Sequence, residues 1–140
     1  LDPESPTAWY NKGNSLSSLG RHKEAIVCYV VAIKLDPEYS DAWYNKGNSL
    51  SSLENYEEAI ACYDEAIKLD PEYSAAWYKK ANSLSSLENY EEAIVCYDKA
   101  IKLYPVNSAA WKNKCTALKK LGRDEEAEQC FAKARELDES

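Results

Sequence analysis

Methionine is absent from the 140 residues, and histidine and phenylalanine occur once each. Positive charge is scarce too: 17 lysines and arginines stand against 24 aspartates and glutamates, for a net charge of −7. Nucleic acids and anionic lipid surfaces are held by concentrated positive charge, so neither is an expected partner. The longest uninterrupted apolar stretch, residues 25–33, has nine residues, whereas crossing a bilayer takes about 20. The opening "LDPESP" is acidic and has no apolar centre, unlike a signal peptide. A chain without methionine is expected to be a piece of something longer.

The single histidine, His22, excludes a histidine-rich metal cluster and is expected as an exposed imidazole in the turn between helices, with no serine expected beside it as a nucleophile. The four glycines form no phosphate-cradling loop. The pairs Glu57-Glu58 and Glu91-Glu92 open predicted helices, where carboxylates suit the helix dipole; they are not spaced as a general acid and base. No catalytic residue, metal or cofactor is expected, and the chain reads as a non-enzyme. The cysteines, at 28, 62, 96, 115 and 130, form no CxxC pair. Four of them recur every 34 residues, a spacing that sets neighbours about 10 Å apart, beyond disulfide reach. Buried thiols in a reducing, cytoplasmic setting are the expectation.

What the sequence has is repetition. "AWYNKGNSLSSL" occurs at 8–19 and again at 42–53, returns as "AWYKKANSLSSL" at 76–87, and blurs to "AWKNKCTALKKL" at 110–121. Trp9, Trp43, Trp77 and Trp111 keep the same period, as do Pro3, Pro37, Pro71 and Pro105. Each unit reads as two helices. In the second, a helix over about 41–53 puts Trp43, Gly47, Leu50 and Leu53 on one face at 3–4 spacing. Ser40 is placed as its N-cap, with Ser74 and Ser108 matching and Ser5-Pro6 serving the first repeat. After a turn at Glu54-Asn55, a helix over about 56–69 turns Ala59, Ile60, Tyr63, Ala66, Ile67 and Leu69 inward. Asp70-Pro71 stops it, because proline lacks an N–H and disfavours helical geometry in the residue before it. Gly13, Gly47 and Ala81, with Ala25, Ala59 and Ala93, permit close backbone approach. Neither helix can bury its apolar face alone, so neighbouring repeats must stack.

With tryptophan at relative position 4, small residues at 8, 20 and 27, an aromatic at 24 and proline at 32, this 34-residue frame resembles the tetratricopeptide repeat. The frame divides the chain into 6–39, 40–73, 74–107 and 108–140, with 1–5 as the tail of a preceding repeat. The resemblance implies an all-α, right-handed superhelical solenoid of antiparallel helix pairs. Two departures stand out. Position 7, usually leucine, is Lys12, Lys46, Lys80 and Lys114, which is expected to loosen packing slightly. Cys115 replaces the small residue at position 8 and is expected to widen the last helix crossing. The fourth repeat also carries Glu128, Gln129 and Arg135 where earlier repeats are aliphatic, as suits a terminal, solvent-facing unit. The apolar N-terminal flank of the first repeat is then expected to favour self-association.

The resemblance further implies that the first helices line a concave groove. Read along it, Tyr10, Tyr44, Tyr78 and Lys112 share one position, Asn11, Asn45, Lys79 and Asn113 a second, and Asn14, Asn48, Asn82 and Thr116 a third. An asparagine amide offers donors and an acceptor to an extended peptide backbone, and tyrosine adds flat area with a hydroxyl. The tetratricopeptide region of protein O-GlcNAc transferases is similar in using an asparagine ladder. The same amides could instead order the helix interfaces. A carboxylate clamp for acidic C-terminal peptides is not expected, since Tyr10, Asn14, Asn45, Ala75 and Lys79 supply one of its three cations. Lys79, Lys112, Lys119 and Lys120, against Asp41, would grade the groove electrically. The expected function is a protein- or peptide-binding scaffold, the alternatives being a passive spacer or self-association module and an accessory domain of a larger enzyme such as a glycosyltransferase.

Overall fold

The computed structural model describes residues 3–140; Leu1 and Asp2, part of the stretch assigned to a preceding repeat, lie outside the described residues. All eight helices among the described residues pair in chain order: α1 Pro6–Ser18, α2 His22–Leu35, α3 Ser40–Ser52, α4 Tyr56–Leu69, α5 Ser74–Ser86, α6 Tyr90–Leu103, α7 Ser108–Lys120 and α8 Asp124–Glu139. No strand occurs among these residues. The chain forms two compact units, Leu1–Pro71 and Glu72–Ser140. In the first, α1 packs on α2, α2 on α3 and α3 on α4; in the second, α5 to α8 repeat the scheme.

Small residues decide how closely each pair approaches. Ala25, Ala32, Ala59 and Ala66 are wholly buried in the first unit, and Ala93 and Ala100 in the second. Tyr29, Tyr63 and Tyr97 are the largest fully buried side chains. A Cβ built on Gly13 would lie 2.7 Å from Tyr29 Cε1, and one on Gly47 would lie 2.6 Å from Tyr63 Cε1. The ring occupies the space that a larger residue at position 8 would need.

Each first helix ends in one left-handed residue: Gly20, Glu54, Glu88 and Gly122, with φ of 78°, 63°, 61° and 76°. In the second repeat Glu54 N donates to Ser51 O at 2.9 Å and Asn55 N to Leu50 O at 2.9 Å. These bonds satisfy carbonyls that the helix end would leave unpaired. The second helices stop as expected: Asp36 and Asp70, each before proline, are extended at φ −142° and −141°.

Three expectations need correction. Ser40, Ser74 and Ser108 are the first helical residues, not caps; Tyr39, Tyr73 and Asn107 hold the cap positions. Asn107 accepts from Ala110 N at 3.1 Å, as Ser5 does from Ala8 N in the first repeat, while the Ser74 hydroxyl donates to Ala100 O at 3.2 Å. The position-7 lysines do not leave the packing loose. Their ammonium groups sit over the tryptophan rings, with Nζ to centroid distances of 5.3, 5.4, 5.8 and 5.5 Å for Lys12–Trp9, Lys46–Trp43, Lys80–Trp77 and Lys114–Trp111. The ring quadrupole attracts a cation there, and the aliphatic stem covers the ring edge. Finally, Cys115 and Cys130 form a disulfide with Cα atoms 5.4 Å apart. Cys130 is beyond reach of its periodic equivalents, but Cys115 faces it from the other helix of the same hairpin. Cys28, Cys62 and Cys96 are buried thiols outside the disulfide, as expected.

Candidate functional site

The indoles anchor the helices that carry the ladder. Trp9, Trp43 and Trp111 donate through Nε1 to the carbonyls of Pro3, Pro37 and Pro105 at 3.2, 3.2 and 3.0 Å. These three first helices are thereby tied to the loops that precede them. The residues one turn further along then occupy fixed positions beside the neighbouring hairpin.

In the first unit, Tyr29 OH donates to Asn14 Oδ1 at 2.7 Å, and Asn45 Nδ2 donates to the same oxygen at 2.9 Å. Asn45 Nδ2 also donates to Tyr10 OH at 2.9 Å. Asn48 Oδ1 accepts from Tyr63 OH at 2.7 Å, and its amide donates to Asn45 Oδ1 over a longer 3.4 Å. The second unit repeats the pattern. Tyr97 OH donates to Asn82 Oδ1 at 2.6 Å, and Asn113 Nδ2 donates to Asn82 Oδ1 at 3.0 Å and to Tyr78 OH at 3.2 Å.

This network assigns the two ends of each amide. The two lone pairs of Asn14 Oδ1 and of Asn82 Oδ1 are taken by protein donors, which turns the NH2 group of each away from the tyrosine. Asn45 and Asn113 use their NH2 groups within the protein and keep the carbonyl oxygen toward the next position. Burial holds the tyrosines in their donor form: it pushes Tyr29 and Tyr97 up to about 12 and raises Tyr63 further.

Each unit has its own cleft beside this network, of about 250 Å³. Asn14, Ser17, Ser18, Tyr29, Asn45 and Asn48 line the first. The second adds Tyr90, Thr116 and Ala117 to Asn82, Ser85, Ser86, Tyr97 and Asn113. The expected site residues therefore divide. Asn14, Asn45 and Asn48 meet in one cleft and Asn82 and Asn113 in the other, with Tyr10 and Tyr78 bonded behind them. Tyr44 packs on Tyr63 with centroids 5.9 Å apart. Asn11 is exposed and outside the network, and Lys79 is half-buried on α5 outside the cleft lining. Lys112 is paired with Asp138 at 2.5 Å, which weakens the expected gradient of charge.

Tyr29 and Tyr97, the aromatics at relative position 24, were not among the expected site residues. The signal was present: tyrosine accompanies asparagine in three repeats, whereas the fourth has Phe131 with Thr116. A fully buried hydroxyl needs a partner, and the partner changes with it. Among the described residues no group of histidines, cysteines and acids could hold a metal ion, and no helix is long and apolar enough to cross a membrane.

The tetratricopeptide-repeat profile matches residues 6–39, 40–73 and 74–107, and a second profile of the same description matches 111–140. No curated protein matches the chain. Among solved structures, a crystal structure of MamA aligns with a TM-score of 0.96 at 27% identity, covering 99% of this chain and 81% of that one. MamA 41-end from Desulfovibrio magneticus RS-1 gives 0.91 at 24% identity, over 97% and 77%. YrrB, described as "a TPR protein with an unusual peptide-binding site", gives 0.87 at 27% identity, over 98% and 71%. With four matched repeats spanning nearly its whole length, the chain belongs to the tetratricopeptide-repeat family, whose helical scaffolds serve protein–protein interaction.

Proposed function

We propose that the chain binds extended peptide segments, gripped in the asparagine cleft of each of its two units. One observation carries this: Asn14 and Asn82 each have their amide oxygen doubly bonded within the protein, leaving a pre-oriented NH2 donor. Asn113 presents the complementary free carbonyl. Extended peptide backbone offers alternating acceptors and donors, so a wall of fixed donors and acceptors suits it at low ordering cost. The peptide-binding site in the description of YrrB, 27% identical over 98% of this chain, supports the same reading. Tyr10, Asn45, Asn48 and Tyr78 hold the donors in place; Asn11, Tyr44, Lys79 and Lys112 contribute at most peripheral contacts.

The test is a peptide array probed with wild type and with the Asn14→Ala/Asn48→Ala/Asn82→Ala variant, both checked for unchanged helicity. Loss of the wild-type spots is expected. An unchanged spot pattern would favour a passive spacer.

A second reading rests on the flank of α1. Leu19 is 71% exposed and Ser15 is exposed. Ala8 and Leu16 are half-buried, whereas their equivalents Ala42, Ala76 and Ala110, and Leu50, Leu84 and Leu118, are buried. This apolar strip suits a second copy of itself better than α8, whose Glu128, Gln129 and Arg135 are exposed and polar. Sedimentation should show a dimer that Leu16→Lys/Leu19→Lys abolishes. A wild-type monomer across the whole concentration range would dismiss it.

A further inference from the structure

The two clefts match in volume, at about 250 Å³ each, and in their tyrosine–asparagine network. They differ in what remains exposed around it. In the second unit the serine and threonine hydroxyls of the wall are turned into the protein. Ser85 Oγ shares a hydrogen bond with Tyr97 OH at 3.3 Å, Ser86 Oγ donates to Asn82 O at 3.1 Å, and Thr116 Oγ1 donates to Lys112 O at 3.0 Å. The cleft therefore receives the methyl of Thr116, the Cβ of Ala117 and the half-buried ring of Tyr90, which packs on the core cluster around Cys115 and Leu118. In the first unit the equivalent places hold other chemistry. Asn48 stands for Thr116 and contributes an amide to the lining. His22 stands for Tyr90, near Ser17 Oγ at 3.5 Å and outside the lining. Ser49 stands for Ala117.

We infer that the clefts sort ligand side chains: the second unit takes an apolar side chain of an extended peptide, and the first takes a polar one bearing an amide or hydroxyl. This deepens the peptide-binding reading and rests on it. An apolar side chain loses water against the Tyr90 ring, Thr116 and Ala117 while the Asn82 and Asn113 amides pair with the peptide backbone, whereas a glutamine there would surrender hydrogen bonds that these three groups do not remake. In the first unit, an aliphatic residue would cover the second N–H of the Asn48 amide without pairing it, and a glutamine would pair it.

The experiment titrates the full chain with two capped tripeptides, acetyl-Ala-Leu-Ala-amide and acetyl-Ala-Gln-Ala-amide. The side-chain amide resonances of Asn14, Asn48, Asn82 and Asn113 report each cleft separately. The leucine probe is expected to move Asn82 and Asn113 at about tenfold lower concentration than the glutamine probe. The order is expected to reverse at Asn14 and Asn48. Thr116→Asn should erase the leucine preference of the second cleft; Tyr90→His should do the same independently if the first variant perturbs folding. Both probes acting within twofold of each other at both clefts would overturn the sorting while leaving the groove intact. No movement of any of the four amides would overturn the groove reading itself and the sorting with it.

Discussion

Glu54 and Glu88 sit in the left-handed region that glycine occupies at Gly20 and Gly122. A side chain with Cβ is disfavoured there by about 1 kcal/mol, while glycine adds flexibility to the unfolded chain and returns part of that gain. Glu54→Gly and Glu88→Gly are each expected to stabilise by roughly 0.5–1 kcal/mol, read as a higher denaturant midpoint with unchanged slope. Ser49 and Ser83 lead to a similar expectation. Their hydroxyls are buried with no side-chain partner, and the fourth repeat already has Ala117 at this position. Ser49→Ala should be neutral to stabilising in the same measurement. The buried tyrosines set an alkaline limit. A phenol whose pKa rises on folding keeps its proton longer in the native state than in the unfolded one. Its stabilising contribution is complete below the ordinary value of 10 and is lost as pH climbs toward about 12. Tyrosinate absorbance should therefore show a late-titrating class of tyrosines that ionises together with unfolding. At this scale, the asparagines of the two networks were legible in the sequence, but not which end of each amide faces out, because that depends on tyrosines placed fifteen residues away by helix pairing.

The helices themselves were legible to within a residue, since tryptophan, alanine and proline recur in phase and each has one role in the hairpin. The first turns were not. A serine ahead of an apolar run is a strong capping signal, yet Tyr39 and Tyr73 hold those cap positions and Ser74 spends its hydroxyl on α6. Nor was the fourth hairpin's staple visible, because comparing equivalent positions hides a pair made from two different ones. Closing a loop with a sequence separation of 15 is worth about 3 kcal/mol in the chain-entropy account. Reduction, or Cys115→Ala, is expected to lower stability by roughly 2–4 kcal/mol, and the Cys115→Ala protein should no longer respond to reductant. Position 8 of the first two repeats makes a size prediction. Gly47→Ala should fall within about 1 kcal/mol of wild type, because the better helix former offsets the push on Tyr63 and Ala81 is accommodated beside Tyr97. Gly47→Leu should destabilise by roughly 3 kcal/mol or more by overpacking, measured by chemical denaturation.

For the molecule as a whole, each unit carries a network of its own. Asn14→Ala strands the Tyr29 hydroxyl and Asn82→Ala strands that of Tyr97, each at about 1–3 kcal/mol. The costs in the double variant are expected to add to within about 0.5 kcal/mol; a clear departure in a double-mutant cycle would show that the units are energetically linked. The family was legible because its signature is periodic and spans the chain. The ligand was not, because fold membership leaves function to the particular side chains that line a surface. Within each unit, every helix packs on its chain neighbours, and the widest pairings are α1 with α3 and α5 with α7. Contacts this short-ranged need little loop closure before they repay it, so folding should be fast and each hairpin can form as soon as it leaves the ribosome. A repeat emerging during synthesis then finds its predecessor already assembled, and the duplicated dodecamer at 42–53 is spared competition from its twin at 8–19.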